Sequence, residues 1–212
     1  MMKNPLPLLS CLLLIGCGEK KAAGGNDAAS ADKVAGEAPA SSERGILGYW
    51  ASDWESTMKQ LSKDELAQLL KEGAAMGIDP GKEEHVNLWH FDAADRAVYT
   101  GFFAAATCSY EFTSHGENAG KGEMIHEMGA IRQVSSLELD GDKLTMKMDN
   151  SKSRFSQNEA ENERVRESMQ SVPASVYKRI DEAEYVRLRG LIEKRAPDEK
   201  GAKESSKGKA RP

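Results

Sequence analysis

Two runs of alternating apolar and polar residues meet at Asp140-Gly141. Leu137 and Leu139 lead into the turn, and Leu144, Met146 and Met148 lead out of it, with Thr145 and Lys147 between them. Successive side chains on a strand face opposite ways, and an Asp-Gly pair supports the left-handed backbone of a tight hairpin. This stretch therefore reads as two antiparallel strands with one apolar face and one wet face. A lone hairpin is marginal in water, so further strands have to cover the apolar face.

The rest of residues 46–195 offers them. Ile46 to Trp50 opens the body as a strand. His85–Phe91, Arg96–Ala104 and Thr107–Thr113 follow, the last alternating cleanly with Cys108, Tyr110 and Phe112 on one side. Ser114–Gly122 reads as a polar, glycine-rich loop, with weaker strands at Met124–Met128 and Ala130–Val134. Ala174–Ile180 is the last strand. Helices break the series. Ser62-Lys63-Asp64-Glu65 has the spacing of a capping box, and Leu66, Leu69, Leu70 and Met76 recur near one helical face behind it. Asn158–Ser171 and Asp181–Arg195 also read as helical. The expected fold is mainly β with α insertions: an antiparallel barrel or strongly curved sheet, with one helix after the first strand and a C-terminal helix. An open α+β sheet is the alternative.

The ends of the chain have a different character. Lys3 is the only charge before Cys17, and the apolar stretch Leu6–Ile15 is about half the length that a membrane span needs. A positive start followed by a short apolar run is a secretory signal. The run closes on Leu14-Ile15-Gly16-Cys17, which resembles the bacterial lipobox. That resemblance implies a signal peptide over 1–16, cleavage before Cys17, and acyl chains, palmitate among them, on Cys17. It implies a lipoprotein of the cell envelope, and Gly18 in place of aspartate points to the outer membrane, with the body in the periplasm or at the cell surface. Several acyl chains on one residue anchor far more firmly than one.

Residues 17–45 read as the lipidated cysteine and a disordered tether: they hold no aromatic and only Val34 as a branched aliphatic. A coil of that length spans roughly 30 Å. Residues 196–212 read as a disordered tail. The body between them carries 26 acidic and 19 basic side chains, the opposite of what a nucleic-acid backbone attracts.

Gly48-Tyr49-Trp50 resembles the G-x-W that opens the first strand of lipocalins. The resemblance implies a barrel whose tryptophan closes one end beneath a basic residue from the last strand, here Lys178 or Arg179. The helix after the first strand and the lack of a Thr-Asp motif between the middle strands depart from that pattern.

Little in the body points to chemistry. Cys108 is its lone cysteine and belongs to an apolar strand face, so it reads as core. His126-Glu127 begins like a zinc-binding helix motif, but Ala130 stands where the second histidine belongs. His85 and His90 fall on opposite faces of the expected strand. No catalytic residue, metal site or cofactor is assigned, and the chain does not read as an enzyme. Trp89, Phe91, Tyr99, Phe102, Phe103, Tyr110 and Phe112 crowd into a short span and either line a pocket or form plain core. Two functions stay open: an envelope lipoprotein holding an apolar small molecule or lipid inside a barrel, or a structural lipoprotein with a solid core that binds an envelope protein. A filled interior decides for the second.

Overall fold

The computed structural model describes residues 45–75, 77–92, 95–101, 105–116, 118–169 and 172–195. The signal, Cys17, the tether up to residue 44 and the tail lie outside the described residues, as do Met76, Phe102 and Phe103.

Eight strands form the body: β1 (Gly48–Ser52), β2 (Leu88–Asp92), β3 (Arg96–Thr100), β4 (Ala105–Ser114), β5 (Ala119–Met128), β6 (Ile131–Asp140), β7 (Lys143–Met148) and β8 (Ser175–Ile180). Each pairs antiparallel with the next, and β8 pairs back onto β1 through Trp50↔Arg179, so the sheet closes into a barrel. Closure leaves no free sheet edge. The Asp-Gly hairpin pairs as expected, with Asp140 opposite Lys143 and Leu139 opposite Leu144. Leu137, Leu139, Leu144 and Met146 are all buried inside the barrel.

Among the described residues, four helices decorate it. Helix α1 (Trp54–Met58) and α2 (Lys63–Ala75) lie in the β1–β2 connection, α3 (Glu159–Ser168) lies between β7 and β8, and α4 (Glu182–Arg195) ends the described chain. The capping box of α2 is formed: the Ser62 N–H donates to Glu65 Oε2 at 2.8 Å, and the Glu65 N–H donates to Ser62 Oγ at 3.3 Å. On this helix Leu69 is buried, whereas Leu70 is 43% exposed and does not join the apolar face. Helix α4 lays Tyr185, Leu188 and Ile192 over Ala51 and Leu88, the outward residues of β1 and β2. These three recur at helical spacing, which gives β1 and β2 apolar contacts on both faces.

The structure corrects several expected bounds. Residues 83–85 form a short 3-10 turn rather than the start of a strand. There the Asp79 N–H donates to His85 Nδ1 at 2.6 Å, and His85 is buried against its own loop. Strand β3 ends at Thr100. The glycine-rich stretch Ala119–Gly122 pairs with β4 and β6 as part of β5 instead of looping. An ideal Cβ on Gly120 would fall 2.5 Å from the Phe112 ring, and one on Gly122 would fall 2.1 Å from the Glu111 carbonyl oxygen. Glycine at both positions lets Phe112 lie flat across the inside of β5.

Residues 131–140 form one strand where two were expected. Beyond the end of β7 the chain continues alongside β6: the Asp149 N–H donates to the Val134 carbonyl at 2.7 Å and Arg154 pairs with Arg132, while Val134 and Gln133 are buried on opposite faces. Ser153 fixes this segment, its Oγ accepting from the Val134 N–H at 2.9 Å.

Candidate functional site

An eight-stranded barrel is just wide enough for side chains to fill it or for one small ligand to fit. Its interior and its two ends are therefore where a site has to be sought.

One end is closed. The chain enters it at Gly45, and Ile46, 3% exposed, tucks into the core there. The Trp50 indole N–H donates to the Ile46 carbonyl at 2.9 Å. The Arg179 guanidinium lies 4.3 Å from the centre of the Trp50 ring. It donates to the carbonyls of Leu47 at 2.7 Å and Gly45 at 2.6 Å, and pairs with Asp142 at 3.2 Å. Of the two basic candidates on β8, Arg179 takes this position and Lys178 faces solvent. A planar cation over an indole, with two carbonyls satisfying its edge, holds the N-terminal strap across the barrel mouth.

Among the described residues, aromatic side chains crowd the interior. Trp89 contacts Tyr99 and Phe91 at ring-centre distances of 5.0 and 6.0 Å, and Phe91 meets Tyr110 edge-on at 5.0 Å. Trp50, Trp89, Phe91, Tyr99, Tyr110 and Tyr177 are each at most 5% exposed. Hydroxyls at the rim of this stack are satisfied: Tyr99 donates to Asn87 Oδ1 at 2.8 Å and Tyr110 to the Asp92 carbonyl at 2.6 Å. Four of the aromatics grouped by sequence thus meet inside, with Phe112 half-buried beside them. Tyr177 was missed. Its parity relative to Arg179 was the available signal, since both face inward from β8.

Cys108 is buried in the same core, and burial pushes its thiol up to about 12. A thiol with that pKa is almost wholly protonated at neutral pH, and the thiolate is the reactive form. Cys108 in the native protein should therefore resist iodoacetamide and react only after denaturation. Stoichiometric labelling of the folded chain at this residue would contradict the geometry.

The remaining histidines sit apart. His90 stacks on Tyr49 at 4.5 Å on the outer face, beside Tyr185 of α4. His126 is buried on β5, directly opposite Gln133 of β6. His115 is exposed in the β4–β5 turn. Among the described residues, no three His, Cys, Asp or Glu side chains are placed to hold a metal ion.

Burial lowers the pKa of both His90 and His126. The unfolded chain then takes up protons near pH ~6.5 that the folded chain refuses. Stability is complete above that pH and falls as pH drops below it. Urea unfolding at pH ~7.5 and ~5.5 should show the loss, and the variant His90→Phe/His126→Met should flatten it.

Outside the barrel, a groove of ≈ 570 Å³ crosses β4–β6, lined by Thr113, His115, Lys121, Glu123, Ser136 and Glu138 among others. It is open and charged, unlike a chamber for an apolar ligand.

The chain matches no family model, no curated protein and no solved structure. Its class accordingly rests on its own strand order: it is a closed, eight-stranded antiparallel barrel of lipocalin-like form, capped at one end and packed with aromatic side chains.

Proposed function

We propose that this chain is a non-enzymatic envelope lipoprotein, anchored by acyl chains on Cys17, whose barrel acts through its outer surface on an envelope protein. The aromatic side chains that crowd the barrel interior support the choice between the two functions. A carrier of lipid or another apolar molecule needs the volume that Trp89, Phe91, Tyr99, Tyr110 and Tyr177 occupy. The acidic body speaks against nucleic acid as the partner. The lipobox residues Leu14 to Cys17 support an anchor, and the outer membrane is the address that Gly18 favours.

Two measurements test the reading. Cys17→Ser should abolish incorporation of a palmitate analogue and leave uncleaved precursor; a labelled mutant would refute the anchor. A fluorescent fatty acid titrated into the full-length chain should give no saturable binding. One-to-one binding, with quenching of the interior tryptophans, would restore the carrier function.

A further inference from the structure

Cations of the segment after β7 differ in how they are matched. Lys152 pairs with Glu123, and Arg166 pairs with Glu159 at 3.3 Å. Among the described residues, no carboxylate pairs with Arg154.

Arg154 lies directly opposite Arg132 of β6. The two exchange both backbone hydrogen bonds: the Arg132 N–H donates to the Arg154 carbonyl at 2.8 Å, and the Arg154 N–H donates to the Arg132 carbonyl at 2.7 Å. A pair of this kind holds its Cα atoms about 5.5 Å apart and sends both side chains to one face. That face is the outer one, because the next residue, Gln133, has the parity of the interior residue Leu137. Like charges set directly opposite one another destabilise a sheet. The acid in the same row is Glu127 of β5, on the far side of Arg132. Its carboxylate comes no closer than 3.7 Å to Arg132 Nε and is 69% exposed. The row Glu127–Arg132–Arg154 thus sets one loosely held carboxylate against two guanidinium groups.

Both arginines lean over the end of the β5–β6 hairpin. Arg154 Nε donates to the Ala130 carbonyl at 3.0 Å, and Arg132 turns its own Nε to Glu127. Among the described residues, the terminal N–H groups of both have no hydrogen-bond acceptor. A guanidinium presents its N–H groups as a planar fork that fits an oxyanion edge. A carboxylate has two oxygens and fills one fork. A phosphate monoester offers three and can accept from two forks at once. We propose that Arg132 and Arg154 form an outer-face site for a phosphate monoester, either free phosphate or the headgroup of a lipid. The anion offsets the like-charge pair and lies on the surface, so the site requires no chamber. It goes beyond the surface role proposed above and needs neither the anchor nor a protein partner.

The test follows the side-chain Nε–H resonances of Arg132 and Arg154 in the full-length ¹⁵N-labelled chain, at low salt and pH ~7.5, above the second ionisation of a phosphate monoester. Inorganic phosphate should shift both with saturation at millimolar concentration, and acetate at equal ionic strength should bind at least ~10-fold more weakly. Arg154→Gln should abolish saturable binding. Arg132→Lys keeps the charge but loses the fork, and should weaken binding at least ~5-fold. Glu127→Gln removes the competing carboxylate and should tighten binding about 2-fold. All three side chains are exposed, so the variants should keep the far-ultraviolet circular dichroism of the barrel. Dihexanoyl phosphatidic acid below its micelle concentration separates the two sources: binding equal to that of inorganic phosphate identifies the free anion, and tighter binding identifies the headgroup. No saturable shift, equal binding of phosphate and acetate, or undiminished binding by folded Arg154→Gln would overturn the proposal. If that variant fails to fold, phosphate against acetate on the unaltered chain decides it alone.

Discussion

Met146→Asp should unfold the domain, while Thr145→Asp, one residue earlier, should leave it folded. Met146 is 6% exposed inside the barrel, packed with Leu137 and Leu144. An aspartate there has to be neutralised or left charged in an apolar stack, and neutralising it at pH 7 costs about 4 kcal/mol. Losing the methionine's own burial adds about 2 kcal/mol. Together these reach the total stability of many domains of this size. Thr145 faces outward between Glu138 and Val176. An aspartate opposite Glu138 adds a like-charge pair on the wet face, worth under about 1 kcal/mol. Urea unfolding of both variants checks the contrast. Two equally mild variants would mean that β7 does not alternate as described.

Gly122→Ala should be nearly as damaging, although it adds a single methyl group. The new Cβ would collide with the Glu111 carbonyl oxygen and approach Phe112 Cα to 2.9 Å, both of them backbone atoms of β4. Backbone cannot rotate away, so β4 and β5 must separate, at a cost of about 3 kcal/mol or more. Gly129→Ala makes the useful comparison. Its φ of +59° strains any side chain, but nothing lies within 4 Å of the added carbon. It should cost only about 1–2 kcal/mol. Thermal melts that rank Gly129→Ala as the worse of the two would contradict the close approach of β4 and β5.

The hairpin, the clean alternation of β4 and the α2 capping box were legible because each is a local pattern with a local cause. Cys108, Tyr110 and Phe112 alternate because one face of β4 is core along most of its length. Legibility failed where tertiary contacts replace local ones. Ala119-Gly120-Lys121-Gly122 looks like a loop because it lacks the side chains that strands favour, and Phe112 supplies the missing bulk from the neighbouring strand. The middle of β6 looked like a break because Val134 and Leu137 differ in parity. Both are buried, on opposite faces, and Ser153, from the segment after β7, accepts a hydrogen bond from the Val134 N–H. Helix α1 is only five residues long, and its fixing contacts are distant: Thr57 Oγ1 accepts from the Val176 N–H at 3.0 Å, across 119 residues.

The Arg179 cap has a mechanical consequence. The described chain enters the barrel at Gly45, and that point is bolted to β8 by two hydrogen bonds from one guanidinium. A pull arriving from that side is passed at once to both neighbours of β1, since β1 is paired along its length with β2 and with β8. Neither ladder can be peeled from a free border, because the sheet has none. The load must shear two ladders together, the mode in which paired strands resist most. A barrel joined in this way holds its first strand against a pull from the N-terminal side.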